Sequence, residues 1–244
     1  MFKIREKIKA KEDITIQFLG DSITWGMNFC HPEETYVARI AQFIAKDLPD
    51  STVRRFDGIN EAWKFHVVGF DGPIYVKCGD GQTVDIIKNG VGGSNVERAL
   101  DRFSQVAGEM PNGKAADLTV MMFGINDALK TEPTRYLPPE VFKKTYRTLI
   151  NKIRESDKET EFVMISPNWS DQSIEEHCKM AEELAKEENI FFIDMHKLWI
   201  DHYDESAVNF GQGDWLKSDP WHPTPLGTQK TAEYIYDKLK TVLF

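Results

Sequence analysis

Short, almost continuous apolar runs alternate with amphipathic stretches along most of this chain, and this alternation is what most limits its fold. The runs are Ile14–Leu19, Val84–Ile87, Leu118–Phe123, Phe162–Ile165 and Ile190–Ile193. Runs without polar alternation are typical of strands covered on both faces. Between them, apolar residues recur at helical spacing in residues 35–46, 141–153, 174–185 and 228–243. The pattern predicts βαβ units and a three-layer α/β/α fold around a mostly parallel, five-stranded sheet.

Residues 50–83 interrupt the alternation with several Asp-Gly turn signals. Two short strands, Phe65–Gly69 and Ile74–Lys77, are predicted on either side of a turn at 71–73. No repeat, low-complexity segment or linker divides the chain, and its 244 residues are enough for one large domain. We therefore expect a single domain over residues 1–244, with an inserted element at about 50–83.

Charge, cysteine usage and the N-terminal sequence limit the partners and the location of the protein. The formal net charge of -9 disfavours polyanions, so no nucleic-acid partner is expected. The three cysteines are widely spaced, which is typical of reduced thiols rather than of disulfides. The opening sequence MFKIREKIKAKED is unlike a signal peptide, and no apolar run is long enough for a membrane span. A cytoplasmic protein is expected, or a secreted one if a leader precedes this sequence.

Serine, glycine and asparagine follow the first three apolar runs, in GDSITWG, KNGVGGSNV and GINDA. In an open parallel sheet, functional residues gather beyond the carboxyl ends of the strands, where these loops are expected. Ser22 of the first loop fits a helix cap as well as a nucleophile, because Asp and Ser are favoured caps. A nucleophilic role requires a base, an orienting acid and oxyanion donors from elsewhere in the chain.

A candidate base lies in the sequence DPWHP, residues 219–223. Pro220 restricts Asp219 to extended conformations, so this loop is able to hold the carboxylate against Nδ1 of His222. The Nε2 atom would then accept the proton of Ser22, as in a Ser-His-Asp triad. The alternative is a Pro-rich turn that only precedes the last helix.

Three groups are candidate donors to an oxyanion. The backbone N–H of Ser22 would lie at a helix N-terminus, where negative charge is favoured. Gly93 lacks a Cβ atom and would let a substrate approach its backbone closely. The side-chain amide of Asn126 supplies the third donor. The structural alternatives are a tight turn for Gly93 and a helix N-cap for Asn126.

The order of these blocks resembles the SGNH, or GDSL-type, hydrolase family, named for a Ser, a Gly, an Asn and a His in four blocks. Ser22 matches the first block within GDSIT, Gly93 the second within NGVGG, and Asn126 the third within GIND. Asp219 and His222 match the Asp-x-x-His of the last block. The resemblance extends from about residue 14 to the end of the sequence.

The resemblance implies a flavodoxin-like α/β/α fold, a serine esterase mechanism with the triad and oxyanion hole given above, and no cofactor or metal. Members of the family are mostly esterases, lipases and carbohydrate deacetylases. The sequence departs from the family pattern at Ile23, where the family name implies Leu, and in the length of segment 50–83. No long apolar lid is present, so we expect small-molecule or carbohydrate esters with short acyl groups, including acetyl groups, as substrates.

Two functions outside ester hydrolysis fit parts of the sequence. Residues 89–95, NGVGGSN, partly match the dinucleotide fingerprint G-x-G-x-x-G/A, but the last position is Asn95. A non-catalytic carbohydrate-binding protein on the same fold would stack sugars on the tryptophans of the crevice loops. The tryptophans in or near these loops are Trp25, Trp169, Trp215 and Trp221. The candidate substrate-binding residues are Asp21, Trp25, Trp169 and Trp221.

Two further kinds of site are disfavoured. The motif G-x-S-x-G is absent, which argues against an α/β-hydrolase with a nucleophile elbow. His196 and His202 lie near Asp194 and Asp201, but this set does not match a known metal-ligand spacing. No metal site is therefore expected.

Overall fold

A computed structural model of the protein describes residues 2–26, 30–61, 65–108, 110–167, 172–202, 215 and 221–244. Within these ranges, seven strands form one sheet: β1 Ile14–Gly20, β2 Thr52–Asn60, β3 Val67–Lys77, β4 Thr83–Gly90, β5 Leu118–Met122, β6 Glu161–Ile165 and β7 Phe191–Ile193. Their spatial order is β3-β2-β4-β1-β5-β6-β7. All neighbouring pairs are parallel except β2 with β3. The predicted mostly parallel sheet is confirmed.

Helices cover both faces of this sheet. In the described residues they are α1 Lys3–Lys9, α2 Ser22–Trp25, α3 Tyr36–Asp47, α4 Val96–Asp101, α5 Ile125–Ala128, α6 Pro139–Ser156, α7 Glu175–Glu187, α8 Met195–His202 and α9 Pro225–Leu243. Helices α1, α3 and α9 share a core with one face, whereas α4, α6 and α7 share a core with the other. The three-layer class is therefore confirmed. None of these helices combines the length and apolar character that a bilayer span requires.

Both faces of the central strand β1 are buried, which explains its continuous apolar run. Phe18 packs into the core shared with α3 and α9, and the next residue, Leu19, packs into the core on the opposite face. Neither side chain has exposed surface. Strands of parallel sheets covered on both sides have this composition. The amphipathic stretches form the covering helices, as their spacing predicted.

The predicted number of five strands is wrong, because residues 50–83 contribute two more. Strand β2 pairs in parallel with β4 and antiparallel with β3, so the insertion extends one edge of the sheet. The predicted turn at 71–73 lies inside β3, where the pairing shifts register between Arg55 and Asp57 of β2. The segments 65–69 and 74–77 therefore do not form separate strands. A bulged edge strand accommodates Pro73 because it need not donate to a neighbour there.

The apolar pattern did not predict β2, because this strand contains paired charged residues. Arg55 is fully buried and donates hydrogen bonds to Glu33 (2.8 and 2.9 Å) and to Asp57 (2.8 and 3.2 Å). The Nζ atom of Lys88 in β4 lies 3.0 Å from the Asp57 carboxylate. Burial lowers the pKa of Lys88, and the charge of Asp57 acts in the opposite direction. This network joins β2 to the 3-10 turn Pro32–Glu34, which follows α2.

The strand order places a crevice at the carboxyl ends of β4, β1 and β5. Strand β1 lies between β4 and β5, so the chain leaves the centre of the sheet in opposite directions on its two sides. Ligands bind at such switch points in open α/β sheets. The GDSITWG and NGVGGSN segments begin in the last residues of β1 and β4, and GINDA begins just after β5.

Candidate active site

Ser22 is the first residue of α2, directly beyond the end of β1. The Asp21 side chain caps this short helix by accepting a hydrogen bond of 2.9 Å from the N–H of Ile23. Gly90, the last residue of β4, allows α2 to lie against the sheet, since a Cβ atom there would be 2.2 Å from the Trp25 backbone nitrogen. The local sequence therefore fixes the position and direction of Ser22.

His222 reaches Ser22 from the segment that leads into α9. The distance between His222 Nε2 and Ser22 Oγ is 3.0 Å, although 200 positions separate the two residues. Thr224 caps α9 by accepting a 3.1 Å hydrogen bond from Gly227 N–H, and its own N–H donates to Trp215 O at 2.7 Å. These bonds hold the backbone two residues after His222. The contact provides the hydroxyl and imidazole pair that nucleophilic catalysis requires.

Asp219 and Trp169 lie outside the described residues. The predicted contact between the Asp219 carboxylate and Nδ1 of His222 therefore stays a prediction. The predicted substrate contact of Trp169 also stays a prediction.

Gly93 lies in the turn between β4 and α4, with a φ angle of +69°. The N–H groups on either side of it bond inward: Gly92 N–H donates to Asn60 Oδ1 at 3.2 Å, and Ser94 N–H donates to Val91 O at 3.1 Å. A left-handed backbone of this kind favours glycine. Gly93 therefore lines the cavity with backbone that carries no Cβ atom, and its role as an oxyanion donor stays a prediction.

Asn126 occupies the second position of α5, directly beyond β5, and is 5% exposed. Gly124, not Asn126, is the N-cap of this helix, so the N-cap alternative does not account for Asn126. The Nδ2 group of Asn126 donates to Ser94 O at 3.0 Å and makes a longer contact of 3.4 Å with Asp21 Oδ2. Its Oδ1 atom accepts a hydrogen bond of 3.0 Å from Arg135 Nη1.

These groups line a cavity of about 380 Å³. It contains Ser22, Gly93, Asn126 and His222. The other lining residues are Ile23, Trp25, Asn60, Glu61, Phe65, Val91, Gly92, Ile125, Leu129, Glu132, Arg135 and Trp221. This volume is within the range of small-molecule sites, and a mainly apolar wall with a few polar groups is also typical of them.

Two of the predicted aromatic residues, Trp25 and Trp221, line the cavity, and Trp221 is 38% exposed. Trp215 is instead buried, and it packs edge-on against Trp199 with ring centroids 5.4 Å apart. The ring of His202 stacks on Trp215 at 3.4 Å. Trp215 and His202 therefore have contacts typical of structural residues.

Two buried carboxyl groups lie behind the cavity wall. Asp21 and Asp127 are almost completely buried, and burial raises the pKa of each from its ordinary 3.8 to about 7. Asp127 Oδ1 accepts a 3.0 Å hydrogen bond from Val96 N–H, which links the α5 turn to the start of α4. Asp21 does not line the cavity and caps α2 instead, so its position does not support the predicted contact with substrate.

Sequence reasoning missed the cavity residues outside the four blocks. Asn60, Glu61 and Phe65 come from the insertion, whereas Glu132 and Arg135 come from the segment between α5 and α6. The unusual length of segment 50–83 was the one signal that this part of the chain has a role of its own. No motif marked Glu132 or Arg135, because their positions depend on how the segment after α5 folds back.

Within the described ranges, no group of three or more His, Cys, Asp or Glu side chains is arranged to hold a metal ion.

A serine and a histidine in hydrogen-bond contact at the carboxyl edge of a parallel sheet are features of serine hydrolases. A family model described as GDSL-like lipase/acylhydrolase matches residues 16–235. The chain belongs to the GDSL-like lipase/acylhydrolase family. Among curated proteins, none matches the chain.

Solved structures with the same fold include several esterases. A two-domain esterase active on acetylated mannans aligns with a TM-score of 0.68 and 18% identity, covering 99% of this chain and 52% of that one. The present chain therefore spans about half of that protein. An acetyl xylan esterase aligns with a TM-score of 0.66 and 19% identity, covering 95% and 100% of the two chains. A peptidoglycan O-acetylesterase aligns with a TM-score of 0.69 and 13% identity, covering 98% and 95%. At these identities the likeness shows the fold.

Proposed function

We propose that the protein removes short acyl groups, such as acetyl groups, from carbohydrate esters through a serine mechanism. Ser22 is the nucleophile, His222 the general base and Asp219 the residue that orients the imidazole. The observation that carries the proposal is the 3.0 Å contact between Ser22 Oγ and His222 Nε2 at the wall of the cavity.

The reaction follows from the positions of these atoms. Ser22 Oγ attacks the ester carbonyl carbon while His222 Nε2 takes the hydroxyl proton. The negative charge that develops on the carbonyl oxygen is stabilised by the N–H groups of Ser22 and Gly93 and by the Asn126 amide. His222 returns the proton to the leaving alkoxide, and the acyl group stays on Ser22. A water molecule, deprotonated by His222, then hydrolyses this acyl-enzyme and releases the acid.

The cavity wall supports a carbohydrate ester as substrate. Trp25, Phe65 and Trp221 provide aromatic surfaces of the kind that sugar rings pack against. Glu61 and Glu132 provide carboxylates that accept hydrogen bonds from hydroxyl groups. Three structural neighbours are named for activity on acetylated polysaccharides or on peptidoglycan O-acetyl groups. This combination favours an acetylated sugar over a long-chain lipid.

The role of Ser22 is tested by ester hydrolysis with the Ser22→Ala variant. Removal of a triad nucleophile lowers kcat by about six orders of magnitude in a well-studied serine protease, and we expect a loss of this kind here. Ser156→Ala is the matched control, because Ser156 lies at the exposed end of α6 and should leave kcat unchanged. Hydrolysis at the wild-type rate by Ser22→Ala would exclude the serine mechanism.

The substrate class is tested with p-nitrophenyl esters of increasing chain length and with a panel of acetylated sugars. We expect kcat/KM to be highest for acetyl esters and to fall for longer chains. Release of acetate from acetylated sugars should be faster than from ethyl acetate, an equally unactivated ester, at equal concentration. A preference for long acyl chains would contradict the proposed substrate but not the serine mechanism.

A further inference from the structure

Arg135 connects two of the loops that carry the predicted oxyanion donors. Its Nη1 group donates a 3.0 Å hydrogen bond to Asn126 Oδ1, beyond β5. Its backbone carbonyl accepts a 2.7 Å hydrogen bond from the side chain of Asn95, the N-cap of α4 beyond β4. A Cβ atom placed on Gly93 would lie 3.5 Å from Arg135 Nη1. The guanidinium group therefore lies beside both Gly93 and Asn126.

The hydrogen-bond partners of the Asn126 side chain determine the positions of its amide oxygen and its amide nitrogen. A guanidinium group can only donate hydrogen bonds, so the atom facing Arg135 must be the oxygen. The backbone carbonyl of Ser94 can only accept, so the atom facing Ser94 must be the nitrogen. One N–H of Asn126 is thus committed to Ser94 at 3.0 Å, whereas the other makes only the 3.4 Å contact with Asp21. Both N–H groups therefore have an acceptor, and an oxyanion would compete with Asp21 for the N–H that makes the longer, weaker contact.

The guanidinium group of Arg135 also forms an ion pair with Glu132. Its Nη2 atom lies 3.3 Å from Glu132 Oε2. The neighbouring Arg98 donates to Gly93 O at 2.7 Å, and its guanidinium carbon lies 3.6 Å from the centroid of the Phe65 ring. Both cations border the same turn at Gly93. This arrangement places fixed positive charge next to the atoms that would bind a developing negative charge, and such preorganisation favours the transition state.

We propose that Arg135 is a positioning residue for ester hydrolysis, which holds the Asn126 amide with its N–H towards the oxyanion. This inference rests on the proposed serine mechanism. Because a hydrogen bond from a charged donor polarises the amide that accepts it, Arg135 also makes the Asn126 N–H a stronger donor. Arg135 acts on the transition state through Asn126, and its removal should lower kcat with little change in KM.

The experiment measures kcat and KM for p-nitrophenyl acetate with Arg135→Gln and Arg135→Lys. We expect Arg135→Gln to lower kcat by about 10- to 100-fold, the range expected for loss of one charge-assisted hydrogen bond. Arg135→Lys should lower kcat less than Arg135→Gln does, because lysine keeps the positive charge although it lacks the planar guanidinium group. Arg147→Gln is the matched control, since Arg147 pairs with Glu187 and Glu188 on the surface of α6 and α7.

A double-mutant cycle separates positioning from other roles. If Arg135 acts through Asn126, the loss caused by Arg135→Gln should largely disappear in an Asn126→Ala background. Thermal unfolding of each variant shows whether the fold is kept. If Arg135→Gln does not fold, the same cycle is measured with Arg135→Lys. Equal losses of kcat in both backgrounds, an unchanged kcat, or a rise in KM alone would overturn the assignment.

The same data distinguish this inference from the mechanism on which it rests. If Ser22→Ala is inactive and Arg135→Gln keeps the wild-type kcat, the serine mechanism stands and only the role of Arg135 fails. If Ser22→Ala keeps its activity, the proposed mechanism fails, whatever Arg135 contributes.

Discussion

Replacing Asp127 with asparagine should remove part of the pH dependence of the stability of this protein. Asp127 has no exposed surface, and burial raises the pKa of its carboxyl group from 3.8 to about 7. One oxygen accepts the Val96 N–H bond, and the other, Oδ2, has no hydrogen-bond partner within the described residues. The folded protein therefore keeps a proton on Asp127 at pH values where the unfolded chain has released it.

The sign and size of the effect follow from the two pKa values. Between about pH 4 and pH 7 the native state binds more protons than the unfolded state, so the free energy of unfolding falls as the pH rises. A pKa of about 7 against 3.8 corresponds to about 4 kcal/mol over the whole range. Between pH 5.5 and pH 8, this group alone accounts for a loss of about 2 kcal/mol.

The assay is urea unfolding of the wild type and of Asp127→Asn at pH 5.5 and pH 8. The asparagine oxygen can still accept the Val96 N–H bond, and any fixed cost of its buried N–H groups cancels when the two pH values are compared. Between pH 5.5 and pH 8, the free energy of unfolding should fall by about 2 kcal/mol less in the variant than in the wild type. The m-values of the two proteins should be equal. Asp101→Asn, at an exposed position of α4, is the control and should behave as the wild type. Equal pH dependence in the wild type and Asp127→Asn would refute a buried, protonated Asp127.

Two further predictions concern the oxyanion donors. Asn126→Ala should lower kcat by about 10²- to 10³-fold, as expected for loss of one oxyanion donor. Steady-state kinetics with p-nitrophenyl acetate test this prediction, and a change in KM alone would contradict the role of Asn126. Gly93→Ala should lower both kcat and the melting temperature, because the backbone has a φ of +69° and the new Cβ atom would lie 3.0 Å from Phe65 Cε1. If Gly93→Ala matches the wild type in both measurements, the turn does not require glycine.

The sequence contained enough information to predict the layers and the central strands. Continuous apolar runs such as Ile14–Leu19 need cover on both faces, and amphipathic stretches of the right length lie between them. This argument failed for β2, where Arg55 is buried through its pairing with Glu33 and Asp57. An apolar pattern does not detect a strand of this kind, because the partner Glu33 comes from a turn 22 positions away.

The sequence predicted the part of the candidate site that directly follows the strands. Ser22, Gly93 and Asn126 each follow a strand, so the topology of a parallel sheet alone brings them to one edge. Asn60 and Arg135 reach the cavity from segments whose course depends on tertiary contacts, such as the bond from the Asn95 side chain to the Arg135 carbonyl. No local signal in the sequence encodes such contacts.

The position of His222 directly before α9 makes activity dependent on the docking of that helix. Helix α9 packs against α1 and α3 on one face of the sheet. Ser22, in contrast, directly follows β1, which is held within the sheet by its strand neighbours. A transient opening that lifts α9 from this face would separate the imidazole from the hydroxyl while the sheet stays intact. Heat inactivation would then report the detachment of a single helix, at temperatures where most of the molecule is still folded.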